Sequence, residues 1–328
     1  MVAPGESAAV ASQLLGRALT GERAIAVDQT NESIVVADEV VVKWLRPPVP
    51  APHPGVELLR VLGTHGFAHM PGFVGAHEVD DMVLAVVTEF VPGALDGWDW
   101  YVDDVDAWLR GDLAFDRLVE SATAMGEVTS HLHVALSGLQ RSAVSARSYH
   151  AQAEALLQRA MRVVDGDEGH RLRSLERSVQ AALEPLRVDR QMVAHRIHGD
   201  LHAGQFLRTS DRLLVTDFDG NPLAEPAERR LPQSPLRDLA SLLQSIDHVG
   251  RIVVKRRHPD RRRDVETFIR AAIAAALTAY LARHTVDGPM LRALRTAQEL
   301  HEYCYAAEHL PRWMYVPDEA LPALLARS

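Results

Sequence analysis

The spacing of hydrophobic residues changes near residue 92 of this 328-residue chain, and that change most constrains its fold. Before it, short runs rich in valine and isoleucine, such as "ESIVVAD" and "EVVVKWL", predict strands around one helix, "GVELLRVLGTHG". After it, apolar residues recur every three or four positions, as in "AFDRLVESATAMGEVTSHLHVALSG", which predicts helices. We therefore predict an α+β fold with a small β-rich lobe at residues 1–92 and a larger helical lobe at residues 93–328.

One polar segment interrupts the predicted helices and is read as two short strands joined by turns. It is "HRIHGDLHAGQFLRTSDRLLVTDFDGNP", His195 to Pro222. "HGDLHAGQ" places Asp200 and Gln205 five residues apart, and "VTDFDG" places Asp217 and Asp219 at the end of the next strand. Magnesium takes oxygen ligands and keeps several waters, so one or two carboxylates and an amide suffice to hold it. Phosphoryl transfer needs such a metal site and a carboxylate that orients the acceptor hydroxyl, so the segment suits a kinase.

Two other interpretations of this segment are open. A His-x-Asp step or an Asp-Phe-Asp-Gly run can be no more than a turn. His195, His198 and His202 could instead bind zinc, because spacings of three and four suit one face of a helix. The glycines in "HGD" and "HAG" break helical periodicity, however, and this disfavours the zinc site.

Two features of the first lobe suit an anionic ligand. Lys43 ends a strand that is otherwise made of valines, and a lysine there must either reach solvent or meet an anion. The turn "DQTNES", Asp28 to Ser33, lacks glycine, but its backbone N–H groups and polar side chains could cradle a phosphate.

The segment "HGDLHAGQ…TDFDG" resembles the aminoglycoside-phosphotransferase-like kinases, which share the eukaryotic protein-kinase-like fold. The longer pattern "RIHGDLHAGQFLR…LLVTDFDGNP…SPLRDLASLLQSID" is similar to the maltokinases and the related bacterial glucosamine kinases. The resemblance covers residues from about 20 to about 320. It implies a bilobal kinase fold that uses ATP and Mg²⁺.

The resemblance also implies roles for the polar segment. Asp200 would be the catalytic base that faces the acceptor hydroxyl. Gln205 and Asp217 would hold magnesium, and Asp219 would bind metal or lie just behind it. His198 would be structural, and the "PLRDLA" step Arg237-Asp238 would form a buried support for the catalytic loop.

On the nucleotide side, the resemblance implies that Lys43 binds the α- and β-phosphates and pairs with Glu57, fourteen residues later. Ser33 would contribute to the phosphate loop. "VVTEFVPG" would be the hinge, where Glu89 and Val91 offer backbone groups to adenine. The "DGWDW" run after it would line the cleft between the lobes or pack the linker.

The last predicted helix, in "RTAQELHEYCYAAEHLPRWMYVP", suits a sugar acceptor. Gln298, Glu302 and Tyr305 fall on one helical face, with Glu308 beside it and Trp313 just past the helix end. Sugar hydroxyls need hydrogen-bond partners, a pyranose ring stacks on an aromatic ring, and a carboxylate suits a protonated amine. A solvated helix face is the alternative. The pattern "Q…E…Y…E…W" resembles the glucosamine kinases and favours a monosaccharide.

We therefore predict an ATP-dependent glucosamine kinase that forms glucosamine 6-phosphate. A maltokinase that forms maltose 1-phosphate, an aminoglycoside phosphotransferase and a catalytically inactive nucleotide-binding module remain alternatives. The net charge of −9 disfavours a nucleic-acid partner. The first residues lack the pattern of a signal peptide, and "AAIAAALTAYLA" is too short to span a membrane. We expect a cytoplasmic monomer with no membrane partner.

Overall fold

The computed structural model describes residues 2–25, 31–222 and 224–326. Its helices and strands, in chain order, are α1 (Glu6–Leu15), β1 (Glu22–Ile25), β2 (Glu32–Val36), β3 (Val40–Pro50), α2 (Pro54–Thr64), β4 (Phe73–Val79), β5 (Met82–Glu89), α3 (Gly97–Arg110), α4 (Phe115–Leu136), β6 (Ser142–Ser145), α5 (Ala146–Val163), α6 (Gly166–Ser174), α7 (Glu176–Leu183), β7 (Gln191–Ala194), β8 (Phe206–Arg208), β9 (Leu213–Val215), α8 (Pro226–Arg229), α9 (Leu236–Arg256), α10 (Arg262–Leu281), α11 (Gly288–Glu308) and α12 (Tyr315–Ala326).

The chain forms two compact units. The sheet unit comprises Met1–Leu95 and Leu207–Leu231, and the helical unit comprises Asp96–Phe206 and Pro232–Ser328. The division at residues 92 and 93 stays a prediction, but residues 207–231, which it assigned to the helical lobe, group with the sheet unit. The reason is a set of backbone hydrogen bonds, for example from the Val215 N–H to the His69 carbonyl at 2.8 Å and from the Leu95 N–H to the Arg208 carbonyl at 2.9 Å.

A five-stranded antiparallel sheet, in the order β1-β2-β3-β5-β4, organises the sheet unit. The proline-rich stretch after Lys43 extends β3 as far as Pro50. The register between β3 and β5 shifts between Trp44 and Val49, and Pro47 and Pro48 lie at this irregularity. A proline there removes no N–H that a regular ladder would use, which explains why the strand tolerates it.

Helix α1, which the sequence pattern did not predict, covers the sheet. Val10 and Ala11 are buried with sheet residues such as Val42, and the Trp44 indole N–H donates to Ser7 Oγ at 3.0 Å. The helix was missed because its alanine- and serine-rich sequence carries only a weak apolar stripe.

The helical unit is built around long helices with largely buried inner faces. α4 and α10 bury residues such as Leu118, Met125 and Phe268, and α9 is buried over most of its length. The segment "HRLRSLERSVQAALEPL" is divided at Leu175 into α6 and α7. None of the helices in the described parts of the chain has the length and apolar character needed to cross a bilayer. β7 leads directly into the polar loop that carries Asp200.

Candidate active site

The loop at residues 198–205, called the catalytic loop below, is held by one buried carboxylate. Asp238, 1% exposed near the start of α9, accepts the backbone N–H of His198 at 2.8 Å and that of Gly199 at 2.9 Å. The Asp200 N–H donates to His198 Nδ1 at 3.3 Å, and Asp200 itself is half-buried. The Asp238 carboxylate therefore fixes the backbone just before Asp200, in the supporting position that the resemblance implied.

A histidine and a tyrosine complete this anchor. His133 Nε2 lies 3.1 Å from Asp238 Oδ2, and His133 Nδ1 lies 2.8 Å from the Tyr280 hydroxyl. Burial disfavours the Asp238 carboxylate, but hydrogen bonds and charge from His133, with smaller contributions from His198 and the Gly199 N–H, keep its pKa below the ordinary value. Asp238 is thus a carboxylate at neutral pH.

The three histidines of the polar segment have separate partners. His195 Nδ1 lies 2.6 Å from the Arg196 carbonyl oxygen, His198 holds the Asp200 N–H, and His202 stacks on Trp98 with ring centroids 5.6 Å apart. Across residues 2–25, 31–222 and 224–326, no group of three or more His, Cys, Asp or Glu side chains is arranged to hold a metal ion.

The catalytic loop ends in a tight turn that contacts an aromatic side chain. Residues Ala203–Gln205 form a 3₁₀ turn, and the Ala203 N–H donates to Ser245 Oγ on α9 at 2.8 Å. A Cβ atom at Gly204 would lie 2.4 Å from Trp98 Nε1, so only glycine permits this approach. The side-chain amide nitrogen of buried Gln205 lies 3.3 Å from His202 Nε2. The Gln205 amide oxygen is the atom that a metal would bind.

Trp98 connects the catalytic loop with the predicted acceptor residues. Its ring meets that of Trp313 edge to face, with centroids 5.9 Å apart. The Trp313 Nε1–H donates to Glu302 Oε2 at 3.2 Å, and the Gln298 amide donates to Glu302 Oε1 at 3.0 Å. Gln298, Glu302 and Trp313 therefore come together as predicted, and all three are half-buried. Together with Trp98 they form what we call the acceptor cluster, a carboxylate held beside two indole rings.

The other two predicted acceptor residues lie apart from this cluster. Glu308 is exposed and forms a two-pronged ion pair with Arg159 of α5. The ring of Tyr305 packs against His309, with centroids 5.4 Å apart. Helical spacing placed these residues on α11 but did not show that α5 supplies a partner for Glu308.

In the sheet unit, Lys43 lies between two carboxylates. Its ammonium is 2.7 Å from Asp217 Oδ1 and 2.9 Å from Asp219 Oδ2. Burial alone would lower the lysine pKa, but the charges of Asp219 and Asp217 raise it above the ordinary value. Asp217 adopts a left-handed backbone conformation, with φ of 59°, which turns the chain sharply after β9.

Asp219 lies against the first turn of α2. A Cβ atom at Gly55 would be 2.5 Å from Asp219 Oδ1, so glycine is required for this close contact. His53, the residue before α2, has its Nε2 3.9 Å from the same oxygen. Burial disfavours the Asp219 carboxylate, but Lys43 and then His53 lower its pKa. The helix N-terminus also favours a negative charge here.

Lys43 and Glu57, which were predicted to pair with each other, have other ion-pair partners in this structure, and their mutual pairing stays a prediction. Glu57 is held by Arg230, whose Nε and Nη2 lie 3.0 and 3.1 Å from its carboxylate oxygens. Lys43 pairs with Asp217 and Asp219 instead. The physical reason is that Arg230 offers Glu57 a planar, two-pronged partner, while two carboxylates compete for the ammonium.

The remaining nucleotide-side residues lie along the sheet. Ser33 of β2 pairs directly with Lys43 in the β2–β3 register, so both side chains occupy one face. Residues 28–30 of the predicted phosphate loop lie outside the described residues. The Glu89 N–H, at the end of β5, donates to the Gly72 carbonyl at 2.7 Å and is therefore already paired. Val91 follows and is buried.

The oxygen ligands suit magnesium. Asp217 and Asp219 already share one cation, the Lys43 ammonium, which shows that the pair can accommodate positive charge. Magnesium takes carboxylate and amide oxygens and keeps waters, so the two carboxylates of the sheet unit, and separately the Gln205 amide of the helical unit, are ligand types that suit it.

A buried pair of ionisable side chains next to the acceptor cluster was not predicted from the sequence. His248 of α9 lies 2.7 Å from Glu299 of α11, and both side chains are almost completely buried. A signal was available, because Glu299 lies on the turn before Glu302 and a charged residue on a buried helix face needs a partner.

Comparison with known proteins adds close relatives. No family model matches the chain. The glucosamine kinase of Streptacidiphilus jiangxiensis is 39% identical over 325 residues, which cover 94% of this chain and 74% of that protein. The glucosamine kinase of Mycolicibacterium smegmatis is 40% identical over 319 residues, which cover 93% of this chain and 80% of that protein.

Solved structures of other proteins are also similar to this chain. A glucosamine kinase in complex with glucosamine, ADP and inorganic phosphate matches with a TM-score of 0.86 and 34% identity, over 98% of this chain and 84% of that one. A thermostable mutant of an aminoglycoside phosphotransferase matches with a TM-score of 0.55 and 11% identity, over 97% of this chain and 98% of that one, which shows a shared fold alone. These likenesses confirm the predicted α+β, kinase-like fold class.

Proposed function

The chain belongs to the glucosamine kinase family, and from that premise we propose that it transfers the γ-phosphoryl group of ATP to the 6-hydroxyl of glucosamine. The observation that carries the proposal is the acceptor cluster, which is linked to the catalytic loop through the contact of Trp98 with His202. A carboxylate beside two aromatic rings suits an amino sugar better than a neutral one.

Recognition of the amine rests on Glu302. Two neutral donors, the Trp313 indole and the Gln298 amide, orient its two oxygens without supplying a compensating positive charge. A protonated amine would supply that charge through a charge-assisted hydrogen bond, about twice as strong as a neutral one. The half-buried indole rings offer apolar faces on which a pyranose ring can stack.

In the transfer itself, Asp200 orients the acceptor hydroxyl and takes its proton. The hydroxyl oxygen forms a bond to the γ-phosphorus while the bond from that phosphorus to the ADP oxygen breaks. The role of Asp200 is supported by the rigidity of its surroundings, because Asp238 holds the two preceding backbone N–H groups. A base acts well only when its position is fixed before the reaction.

On the nucleotide side, Lys43 binds the α- and β-phosphates, and Ser33 lies across the strand pair from it. Glu89 and Val91 contribute backbone groups to adenine. Asp217, Asp219 and Gln205 would hold Mg²⁺, which neutralises charge on the phosphates when it is bound.

The test is ADP formation by the purified protein with ATP and Mg²⁺ and, in turn, glucosamine, glucose, maltose and kanamycin. We expect turnover to be fastest with glucosamine, and ³¹P NMR of the product to locate the phosphate on the 6-hydroxyl. Faster turnover with maltose or kanamycin would overturn the proposed acceptor.

Two variants test the role of Asp200. Asp200→Asn should bind ADP normally and lose roughly 10²–10⁴-fold in kcat, the contribution typical of a general base. Asp211→Asn is the matched control, since Asp211 is an exposed aspartate in the same segment. Near-normal kcat for Asp200→Asn would contradict the assignment.

A further inference from the structure

A network of polar side chains, most of them buried, contacts the acceptor cluster at Trp313. Arg295 Nε donates to Gln244 Oε1 at 2.6 Å, the Gln244 amide donates to Glu299 Oε1, and His248 Nε2 lies 2.7 Å from the same Glu299 oxygen. Gln244 and Glu299 are fully buried and His248 is 3% exposed. Burying such a network costs free energy unless its polar groups are hydrogen-bonded, so its position next to the acceptor cluster calls for a physical reason.

The charges around His248 favour its protonated form. Burial alone would lower the imidazole pKa, but Glu299, and to a smaller extent Glu302 and Asp247, raise it to about 9. Asp247 is itself paired with Arg251 at 2.7 Å. Burial raises the pKa of Glu299 above its ordinary value, although His248 and Gln244 oppose this shift. The raised pKa of His248 favours a protonated imidazole beside Glu299 at neutral pH.

This pair contacts the acceptor cluster through the ring of Trp313. The His248 ring meets that of Trp313 edge to face, at an interplanar angle of 88° and with centroids 6.2 Å apart. Trp313 in turn donates its indole N–H to Glu302 Oε2. One turn earlier on α9, Ser245 accepts the N–H of Ala203 in the catalytic loop. One helix face thus supports both the acceptor cluster and the catalytic loop.

We propose that His248 and Glu299 are positioning residues for the sugar, which hold the Trp313 ring in the orientation that keeps its N–H on Glu302. The inference rests on the proposed function. His248 and Glu299 act through Trp313 and take no part in the transfer itself. Their loss therefore weakens sugar binding more than it slows phosphoryl transfer or weakens nucleotide binding.

Kinetics separate this role from simple packing between α9 and α11. We expect His248→Leu to raise KM for glucosamine by about tenfold or more, since a buried hydrogen bond to a charged group is lost, with kcat and KM for ATP nearly unchanged. His248→Gln can donate an amide N–H to Glu299 at the position of Nε2, so it should recover most of the loss. Equal changes in both KM values, or an unchanged KM for glucosamine, would overturn the inference.

A second measurement needs neither sugar nor turnover. A protonated imidazole quenches indole fluorescence, so the emission of Trp313, obtained as the difference between the wild type and Trp313→Phe, should rise as His248 loses its proton near pH 9. In His248→Gln this rise should be absent. A rise that persists in His248→Gln refutes the contact, whereas the lack of any glucosamine phosphorylation with the fluorescence change intact refutes the proposed function alone.

Discussion

Replacing Asp238 with asparagine removes one buried negative charge and one acceptor from the catalytic-loop anchor. In the wild type, Oδ2 accepts the His198 N–H and lies beside His133 Nε2, and Oδ1 accepts the Gly199 N–H. In asparagine one of these oxygens becomes an NH₂ group. Whichever way the amide is turned, one backbone N–H of the loop then faces a donor.

The size of the effect follows from these contacts. A hydrogen bond to a charged group contributes about 1.5–3 kcal/mol, and a buried donor left without an acceptor costs about 1–3 kcal/mol. Together they approach the roughly 3–5 kcal/mol typical of breaking a buried charged pair. Because domains are stable by only about 5–15 kcal/mol, Asp238→Asn should remove about a fifth or more of the free energy of unfolding.

Urea denaturation of the wild type and Asp238→Asn, with Asp211→Asn as the exposed control, measures the loss. Hydrogen exchange should show where this stability is lost. The His198 and Gly199 amides should exchange faster in Asp238→Asn than in the wild type or in Asp211→Asn. A loss below about 1 kcal/mol, the size of one ordinary hydrogen bond, or unchanged exchange at both amides would refute the reasoning.

The pH dependence of this loss has a definite sign. The pKa of Asp238 is lowered in the folded protein, so its contribution to stability is present above the unfolded value of about 3.9. The contribution is lost as pH falls through the folded value. The stability difference between the wild type and Asp238→Asn should therefore shrink on acidification below about pH 4.

Three further substitutions probe other parts of the site. Gly204→Ala places a Cβ 2.4 Å from Trp98 Nε1, so we expect a loss of about 1–3 kcal/mol in thermal or urea unfolding, and an unchanged midpoint would contradict the contact. Lys43→Met should weaken ADP binding about tenfold or more by calorimetry, and equal affinity would remove Lys43 from the nucleotide site. Glu302→Gln should raise KM for glucosamine about tenfold or more. The control is Glu308→Gln, which should keep a KM close to that of the wild type because the Glu308 carboxylate pairs with Arg159. A larger increase for Glu308→Gln than for Glu302→Gln would exchange their roles.

The local pattern of the sequence predicted the parts of the site that depend on local structure. The strand that carries Lys43, the loop that carries Asp200 and the helix face that carries Glu302 all form as expected, because hydrophobic period and glycine position determine them. The family resemblance predicted the fold class and the sugar kinase family, which the relatives confirm. The cytoplasmic location and the monomeric state stay predictions.

The partners of charged side chains could not be predicted in the same way. Glu57 pairs with Arg230, and Glu308 with Arg159, although long stretches of chain separate the members of each pair. Such pairs depend on which elements pack together, and neither residue spacing nor composition encodes that. His248 was missed for the same reason, since its partner Glu299 lies on another helix.

The ion pairs of Lys43 affect its reactivity toward chemical reagents. The chain contains two lysines, Lys43 and Lys255, and an amine reacts with acylating reagents only in its neutral form. With its pKa raised by Asp217 and Asp219, Lys43 should react slowly in the nucleotide-free protein, whereas exposed Lys255 should react first. Mass spectrometry of partly acylated protein can thus follow a single amine at the proposed nucleotide site, and covalent inhibitors aimed at that amine must first displace it from its carboxylates.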